Sequence, residues 1–587
     1  MCGIAGIMTL DGSAPDAAAL DAMRLALAHR GPDGDAVWVS GDTGLVHTRL
    51  AIIDLETGDQ PLFGSEGLAL VANGEIYNYI ELRDELPDAA FATNSDCEPV
   101  LHCYRQHGLD FAEWLRGMYA LALFDPAARR LVLARDPFGI KPLYYAATDR
   151  AFAFASEPQA LLAAGFGMRR LRDERIDELL QLQFTTGGDT PFEGIQRVLP
   201  GETIVVSGGR IQERRVREAL PRGGPGRLGE TAALHRVEAA LLDSVEMHQR
   251  SDVPYAMFLS GGVDSSVVLA LMARLNRRPV QAYTAGFPDT AAADEREHAR
   301  RVAQSLGADH IEVTFDIDDF WSLLPQIVAG MDEPVADYAI LPTWKLAREA
   351  SKTHKVILSG EGGDELFGGY GRYRTMMRPT WLGGRAMRRH GIFEGLGVLR
   401  QETTAWRDGF AASEVVLRHG GRSRLQTAQA VDCADWLPND LLTKLDRCLM
   451  AHGVEGRTPF LDPAVANVAF RLPDRLKVRG RLGKWILRRW LNDAAPAADA
   501  FSRKRGFTVP VGEWIAAAGD ELGPLVAAQP GVAEKCRPDA VRALFAGVGK
   551  RESFAAWTLL FYALWHQRHI AQGPVGGNVF ETLSTGS

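Results

Sequence analysis

The pattern of apolar and polar positions divides the chain into two parts of different character. In the first part, short apolar or alternating runs follow one another and predict β-strands, with polar clusters between them. These predicted strands cover residues 36–39, 45–47, 68–72, 119–125, 130–134 and 151–155. In the second part, apolar strands alternate with helical stretches, beginning at 253–259 and 267–275. Such alternation predicts a parallel sheet with ligands at the carboxyl ends of its strands.

Composition predicts the boundary between the two parts. Residues 207–229 are rich in Gly, Arg and Pro, which is typical of a linker, and a helix is predicted from about Glu230. We therefore expect a first domain over 2–206 and a second domain over 230–572. The polar residues 573–587 are expected to form a disordered tail. Residues 374–437 are helical by composition and receive no further assignment.

Overall composition and charge narrow the class of protein. With 46% hydrophobic and 24% charged residues, the 587-residue chain is typical of soluble globular proteins and long enough for several cores. The formal net charge of −9 argues against nucleic acid or an anionic membrane as a partner, and no run is apolar enough to span a bilayer. Six cysteines without zinc-type spacing suit reduced thiols. These features favour a multidomain cytoplasmic enzyme.

The first candidate for chemistry is Cys2. Removal of Met1 would leave this residue with both a thiol and a free α-amino group. An α-amino group has a pKa of about 8, so it can act as general base for the thiol without a histidine. Cys2 is therefore a candidate N-terminal nucleophile.

Polar clusters between the predicted strands strengthen this candidate. They begin at His47-Thr48-Arg49, Asn73-Gly74-Glu75, Ser95-Asp96 and Arg135-Asp136. Together with Cys2, and in this order, they resemble the class II glutamine amidotransferase domain over about residues 2–205. The resemblance implies an α+β N-terminal-nucleophile fold, an αββα sandwich in which two antiparallel sheets lie between helices.

The same resemblance implies a role for each of these side chains. Cys2 would attack the side-chain amide carbon of glutamine. The Asn73 amide and the Gly74 backbone N–H would form the oxyanion hole. The α-carboxylate and α-ammonium groups of glutamine would be bound by Arg49 and by Glu75 and Asp96, respectively.

A second centre of chemistry is the loop at 259–266, Leu-Ser-Gly-Gly-Val-Asp-Ser-Ser, between a predicted strand and a predicted helix. Glycine lets backbone N–H groups approach a phosphate closely, and a helix N-terminus favours an anion. Because the loop lacks Gly-Lys-Ser/Thr, it is not the P-loop of kinases and GTPases. Its hydroxyl groups suggest a binding site for pyrophosphate, and Asp264 suggests a carboxylate that binds a metal ion there. A second Gly-rich loop, 359–370, also follows an apolar strand and should open on the same edge.

This second part resembles the ATP-pyrophosphatase-type domain of glutamine-hydrolysing asparagine synthetases over about residues 226–570. The resemblance rests on the two loops, on Val454–Asp462, and on Lys504 with Gly506-Phe507. It implies an α/β parallel-sheet domain with a helical C-terminal part. The implied substrates are glutamine, aspartate and ATP, and the aspartate β-carboxylate, activated as an acyl-adenylate, would capture ammonia that crosses a dry interior. A homodimer is implied as well.

By motif, the resemblance also implies the residues of the synthetase site. Glu361 would act on the acyl-adenylate, and Lys504 would neutralise charge on the α-phosphate and the departing pyrophosphate. Asp264 and Asp364 would bind Mg²⁺, and the acceptor would lie against Glu361, Asp364 and Glu365. The ATP molecule would be held by Leu259, Ser260, Gly262, Asp264, Ser265, Ser266, Ala285, Ser359 and Gly360.

Two positions depart from the family pattern. Serine is more usual at Gly363, and Ala-Arg-Val or Val-Arg-Val is more usual at Gly456-Arg457-Thr458. Neither departure removes a charged group, so we expect the protein to be active. The two changes could alter the shape of the acceptor pocket. The alternatives are an amidotransferase of the same scaffold acting on another carboxylate, such as a dipeptide or a β-amino acid, and a non-catalytic relative. β-Lactam synthetases and peptide cyclases of this scaffold tend to lose the glutaminase residues, so the presence of all of them disfavours those two kinds of enzyme. The intact nucleophile, oxyanion hole and carboxylate-bearing loops disfavour a non-catalytic relative, and the acceptor itself stays open.

Overall fold

The first unit of the structure is built on two antiparallel sheets. The structure is a computed structural model that describes residues 2–290, 294–418, 420–502, 509–547, 549–574 and 576–585. Each of the two sheets has six strands in the described residues. The strands of this unit are β1 (Cys2–Thr9), β2 (Gly34–Ser40), β3 (Thr43–Arg49), β4 (Leu62–Phe63), β5 (Ala69–Ile76), β6 (Gly117–Asp125), β7 (Arg130–Arg135), β8 (Tyr144–Ala147), β9 (Ala151–Ala155), β10 (Gln196–Arg197), β11 (Glu202–Ser207) and β12 (Arg210–Val216).

The two sheets share one apolar core. Their strand orders are β10-β8-β9-β1-β3-β2 and β12-β11-β7-β6-β5-β4. Ile4 and Leu45 of the first sheet cluster with Val71 and Ala122 of the second, and all four are fully buried. Burial of these side chains between the sheets supplies the main favourable free energy of the sandwich.

Helices cover the outer faces of both sheets. Leu20 and Met23 of the first helix pack with Val46 of the first sheet, and Leu101 of the third helix packs with Leu121 of the second. The predicted αββα sandwich is therefore confirmed. The helices of this unit are α1 (Ala17–Ala26), α2 (Tyr79–Glu85), α3 (Pro99–His107), α4 (Pro158–Ala163) and α5 (Asp173–Leu182).

The first unit extends past the predicted boundary at residue 206. Strand β12 pairs antiparallel with β11, with Ser207 opposite Arg210, and Gly208-Gly209 make the turn at positive φ. The prediction of a linker over 207–229 was therefore wrong for its first part. Because β12 is an edge strand with polar residues on both faces, it lacks the alternation that marks a half-buried strand. Residues 217–229 contain no regular element.

The second unit contains the predicted parallel sheet. Its strands are β13 (Tyr255–Phe258), β14 (Gln281–Gly286), β15 (Asp309–Thr314), β16 (Val356–Leu358) and β17 (Glu455–Arg457). Their order is β15-β14-β13-β16-β17, and every neighbouring pair is parallel. Strand β13 leads into the loop at 259–266 and its neighbour β16 into the loop at 359–370, so the two loops lie side by side.

Helices surround this sheet and form the C-terminal part. Residues 374–437, unassigned from the sequence, include α-helices over Asp408–Val416 and Arg424–Val431 and the start of a π-helix over Asp432–Leu442. None of the helices in the described ranges is long and apolar enough to cross a membrane. The helices are α6 (Glu230–His248), α7 (Val263–Leu275), α8 (Arg296–Ser305), α9 (Ile317–Ala329), α10 (Ile340–Ala350), α11 (Gly363–Phe367), α12 (Gly371–Met377), α13 (Asp408–Val416), α14 (Arg424–Val431), α15 (Thr443–Met450), α16 (Pro463–Arg471), α17 (Asp474–Lys477), α18 (Trp485–Ala494), α19 (Val511–Ala517), α20 (Gly519–Ala528), α21 (Pro530–Lys535), α22 (Pro538–Phe545), α23 (Lys550–His569) and α24 (Val579–Ser584).

The C-terminal segment is more ordered than expected. Helix α24 begins at a capping box in which Asn578 and Glu581 bond each other's backbone N–H. Its Val579 and Leu583 are fully buried in the core. The expectation of a disordered tail over 573–587 was therefore wrong for this helix, because two apolar residues four positions apart anchor an otherwise polar segment.

Buried charges join the two units. Arg30 of the first unit is fully buried and donates to Glu157 at 2.7 Å and to Asp446 on α15 at 2.8 Å. Lys141 Nζ donates to the carbonyl oxygen of Gly456 on β17 at 3.2 Å. Breaking one partner of a buried pair costs about 3–5 kcal/mol, so these contacts fix the two units against each other.

Candidate active sites

Cys2 lies at the start of β1, opposite Arg49 on β3. Its side chain is buried, and burial raises the pKa of the thiol. The backbone N–H of Cys2 donates to Asn73 Oδ1 at 3.2 Å. A protonated thiol needs a base to become a nucleophile, and the nitrogen of Cys2 itself is the group available in an N-terminal cysteine.

Asn73 and Gly74 lie on β5 beside Cys2. The Asn73 side chain is fully buried, and its Nδ2 donates to no acceptor within the described residues. A buried donor without an acceptor is unfavourable, which suits Nδ2 to the oxyanion of a bound substrate. A Cβ at Gly74 would lie 2.2 Å from the Met118 carbonyl oxygen, so the strand leaves no room for a side chain here.

Arg49 lies opposite Cys2, at the end of β3. Its Nη1 lies 2.7 Å from Asp59 Oδ1, and its Nη2 donates to the Asp54 carbonyl oxygen. The side chain of Asp59 is 83% exposed, and such a pair contributes little because water screens it. A substrate carboxylate can therefore replace Asp59 on the guanidinium at low cost.

Glu75 and Asp96 form a buried pair of carboxylates next to Asn73 and Gly74. Burial raises the pKa of both, and the charge of Asp96 raises that of Glu75 further. Asp96 Oδ2 accepts from the Ile76 N–H at 2.8 Å. Glu75 Oε2 lies 3.0 Å from Arg457 Nη2, while Oε1 has no partner within the described residues. The pair is suited to an ammonium group, which would relieve the repulsion between the two carboxylates.

Arg457 is a residue of this site that the sequence did not single out. It lies on β17 of the second unit, where it is fully buried and its Nε donates to Glu455 at 2.5 Å. Its carbonyl oxygen accepts from the Ser359 N–H at 2.8 Å. Arg457 thus contacts Glu75 of the first unit with its side chain and the second Gly-rich loop with its backbone. The one sequence signal was the unusual Gly456-Arg457-Thr458 run.

We expect Arg457→Met to weaken both the fold and glutamine binding. Two buried carboxylates, Glu75 and Glu455, would lose their cation, which costs about 3–5 kcal/mol. The pKa of Glu75 would rise further because the positive charge of Arg457 is lost, and the KM for glutamine would increase. Thermal denaturation and glutaminase kinetics measure the two effects. The exposed Arg471→Met is the matched control, and equal KM values in the two variants would contradict the expectation.

In the second unit, the loop at 259–266 is arranged to hold an anion. Gly261 is at φ 67°, and Gly262 caps the start of α7. Ser260 Oγ and Ser265 Oγ lie 3.1 Å apart. Ser266 is fully buried beneath the loop, and its Oγ has no partner within the described residues. Hydroxyls, backbone N–H groups and the N-terminus of a 13-residue helix therefore meet at one place.

The neighbouring residues bring backbone close to this loop. The Leu259 N–H donates to the Tyr283 carbonyl oxygen at 2.9 Å, and Ala285 lies buried further along the same strand, β14. A Cβ at Gly360 would lie 2.9 Å from the Ser265 nitrogen. Glycine at 360 therefore allows the two loops to approach each other.

Asp264 and Asp364 converge on one cation, Lys484. The Lys484 Nζ contacts Asp264 Oδ2 and lies 2.8 Å from Asp364 Oδ1. Although burial opposes it, the two carboxylates raise the pKa of Lys484, so this lysine is charged. Lys484 adopts a left-handed conformation at φ 56°, directly after Gly483. Sequence reasoning missed it because nothing in the Gly483-Lys484 pair indicates a partner 220 residues away.

Glu361 faces a second lysine across the site. Lys444 Nζ lies 3.6 Å from Glu361 Oε1 and 3.0 Å from Asp337 Oδ2. Burial raises the pKa of Glu361. Burial also raises the pKa of Glu365 to about 8, and the hydroxyl of Tyr370 donates to this residue at 2.6 Å.

A cavity of about 540 Å³ lies among these residues. It is lined by the predicted ATP and acceptor residues Leu259, Ser260, Gly262, Asp264, Ser265, Ala285, Ser359, Gly360, Glu361, Asp364 and Glu365. Ser266 does not line it. Lys504, the other predicted catalytic residue, lies outside the described residues. Lys444 and Lys484 line the cavity and were not predicted.

A cysteine at position 2 of an αββα sandwich, joined in one chain to an anion-binding loop on a parallel sheet, defines an amidotransferase coupled to an ATP-dependent ligase. Comparison with known families gives the particular family. Residues 1–216 match the glutamine amidotransferase domain and residues 236–567 match asparagine synthase. The chain belongs to the asparagine synthase family.

Individual relatives match over nearly the whole chain. A protein from Mycobacterium bovis is 34% identical over 96% of this chain and 95% of its own length. Asparagine synthetase (glutamine-hydrolyzing) 1 of Bacillus subtilis is 32% identical over 97% of both chains. Asparagine synthetase B (glutamine-hydrolyzing) of Escherichia coli is 28% identical over 88% of this chain and 83% of its own.

Proposed function

We propose that this protein synthesises asparagine from aspartate, with glutamine as nitrogen donor and ATP as the source of activation. Glutamine and water give glutamate and ammonia at the first site. At the second, aspartate and ATP give a β-aspartyl-adenylate and pyrophosphate, and ammonia then displaces AMP to give asparagine. The observation that carries the proposal is that one chain contains both the Cys2–Asn73 pair and the cavity lined by the two Gly-rich loops. Arg457 links the two sites, because its side chain contacts Glu75 and its backbone contacts Ser359.

In the glutaminase site, we assign the nucleophile to Cys2 and the oxyanion hole to Asn73 and Gly74. The unpartnered Nδ2 of Asn73 supports this assignment. Glutamine would be oriented by Arg49 at its carboxylate and by Glu75 and Asp96 at its ammonium group. The charges of the pocket are complementary to those of a free amino acid.

In the synthetase site, pyrophosphate would be gripped by the loop hydroxyls and N–H groups at 260–266, with Ser359 and Gly360 against the nucleotide. Glu361 would act beside the acyl-adenylate, where Lys444 balances its charge. From its motif, we also assign to Lys504 the neutralisation of charge on the α-phosphate and the departing pyrophosphate. A carboxylate becomes a good acyl donor for ammonia only when its oxygen leaves as part of AMP.

We also propose Mg²⁺ as the metal of this site, held by Asp264 and Asp364. The convergence of these carboxylates on the ammonium of Lys484 marks a place built for positive charge, and carboxylate oxygen is the donor that Mg²⁺ prefers. No group of three or more His, Cys, Asp or Glu ligands occurs in the described part of the chain, so phosphate oxygens and water would complete its shell. When bound, the ion would neutralise charge on the departing pyrophosphate.

The proposed partners and location of the protein rest on its net charge and on the family resemblance. The net charge of −9 supports small-molecule substrates rather than nucleic acid or an anionic membrane as partners. A cytoplasmic location and a homodimer are proposed from the family resemblance.

Pyrophosphate release tests the proposal. The purified protein is given ATP, Mg²⁺ and glutamine, with or without aspartate, and the amino acids formed are identified. We expect aspartate-dependent release with asparagine as product. Glutamate formed without aspartate-dependent pyrophosphate would show that the glutaminase works on behalf of another acceptor, and would refute the proposal.

A further inference from the structure

A second cavity, of about 300 Å³, lies next to the synthetase cavity. The two cavities share Gln183, Trp436 and Phe554 as walls. Gln183 lies at the end of α5, and its Nε2 donates to the Ala336 carbonyl oxygen at 2.8 Å, next to the Asp337 that binds Lys444. The second cavity therefore continues the first on the acceptor side, near Lys444 and Glu361.

The described lining of this second cavity contains cations but no carboxylate. Its ionisable lining residues are Arg388, His390 and Arg551. Arg551 Nη2 already donates to the Glu394 carbonyl oxygen, and His390 Nδ1 lies 3.2 Å from the Glu394 carboxylate. Only Arg388, among these three, has buried nitrogens that lack an acceptor within the described residues.

The guanidinium of Arg388 stacks on an aromatic ring, and two of its nitrogens have no hydrogen-bond acceptor within the described residues. It lies 3.9 Å over the ring of Trp436, the wall shared by the two cavities. Its Nε and Nη2 are buried and unpartnered within the described residues. Burial lowers the pKa of Arg388 to about 10, so it still carries its charge at neutral pH. The charges of Asp432 and Asp440 also act on this guanidinium, but its two buried nitrogens still lack acceptor oxygens within the described residues, which a ligand could supply.

Backbone conformation gives an independent sign of function. Of the nine non-glycine residues at positive φ in the described chain, four line these two cavities: Gln183, Arg388, Lys484 and Asp499. Residues held in this sparsely populated region cluster at ligand sites, where the surrounding structure compensates for the strain.

We propose that Arg388, stacked on Trp436 beside Gln183, binds the non-reacting α-carboxylate of the acceptor amino acid. This rests on the proposed function and deepens it, because it gives the acceptor site a means of choosing a dicarboxylic amino acid. Aspartate has two carboxylates, and the one that is adenylated lies at Glu361 and the phosphates. The other needs a cation on the far side of the cavity, and a guanidinium can bind it through two parallel hydrogen bonds.

Acceptor kinetics of Arg388 variants test this assignment. We expect Arg388→Met to raise the KM for aspartate by about 30-fold or more, as expected for loss of one partner of a buried charged contact. Arg388→Lys keeps the positive charge but loses the pair of parallel N–H donors. Its KM for aspartate should therefore lie between those of the unmodified protein and Arg388→Met. Glutaminase activity and the KM for ATP should stay unchanged in both, which a merely structural defect would not allow. Exposed Arg389→Met is the matched control and should behave like the unmodified protein.

A second acceptor makes the test specific for the α-carboxylate. 3-Aminopropanoate is aspartate without that group, so the unmodified protein should strongly prefer aspartate, and Arg388→Met should lose most of this preference. If Arg388→Met releases pyrophosphate with an unchanged KM for aspartate and an unchanged preference for aspartate over 3-aminopropanoate, the assignment of Arg388 is wrong. The proposed function would not be affected by that result. A parallel loss of glutaminase activity and ATP binding in both variants would also overturn the assignment. Absence of aspartate-dependent release by the unmodified protein would overturn the proposed function as well.

Discussion

Cys2→Ala should abolish the use of glutamine while leaving ammonia-dependent asparagine synthesis intact. Removal of a nucleophile from a site that works as a unit lowers its rate by about 10⁴-fold or more. The synthetase cavity is built by other residues, on another sheet, and does not include Cys2. Because β1 is held by backbone pairing to β3 and β9, loss of one sulfur atom should leave the fold unchanged.

Rates with glutamine and with ammonium chloride, measured on the same preparation, check this prediction. Cys103→Ala is the matched control, since Cys103 is also a buried thiol of the first unit but lies on α3, in the core between the second sheet and the helices that cover it. It should use both nitrogen sources normally. If ammonia fails to support synthesis by Cys2→Ala, the two sites are not chemically separable and the two-site account is wrong.

Asp264→Asn should instead remove synthesis from both nitrogen sources. Asp264 and Asp364 together bind the Lys484 ammonium and, in the proposed function, Mg²⁺. Loss of one of these charges weakens stabilisation of the departing pyrophosphate, and removal of a single electrostatic group in an active site costs about 10²- to 10³-fold in rate. Glutamine hydrolysis, which depends on Cys2 and Asn73, should continue.

The measurement pairs pyrophosphate release with glutamate formation. Asp309→Asn is the control, because Asp309 is exposed at the start of β15 and makes the same change of charge outside the cavity. A normal rate of asparagine formation by Asp264→Asn would show that this carboxylate does not take part in the chemistry.

Local motifs predicted residues that the structure brings together at the two candidate sites. Cys2, Asn73-Gly74 and the loop at 259–266 each combine a chemically necessary residue type with a backbone that short sequence rules describe. The strand order of the sheets then places Cys2 beside Asn73 and the two Gly-rich loops after neighbouring strands. Their prediction needed no knowledge of long-range packing.

The partners that balance charge could not be predicted in this way. Arg457 reaches Glu75 from another domain, and Lys484 reaches Asp264 across 220 residues. An ion pair depends on where two chain segments meet, and neither lysine nor arginine signals that meeting in its own neighbourhood. The same limit applies to Arg388, which lies in the segment that composition left unassigned.

The boundary errors have a different physical cause. Strand β12 is polar on both faces because it lies at the exposed edge of its sheet, so no alternation distinguishes it from a linker. Helix α24 is anchored by Val579 and Leu583 within a polar stretch too short to show a helical period.

Transfer of the glutamine amide nitrogen tests the central claim most directly. The protein is given glutamine labelled with ¹⁵N at the side-chain amide, together with aspartate, ATP, Mg²⁺ and an excess of unlabelled ammonium in solution, and the asparagine formed is analysed by mass spectrometry. The two-site account predicts asparagine whose side-chain amide carries ¹⁵N well above the isotope content of the ammonium in solution. Asparagine with the isotope content of the solution, or labelled ammonium with no asparagine formed, would contradict it.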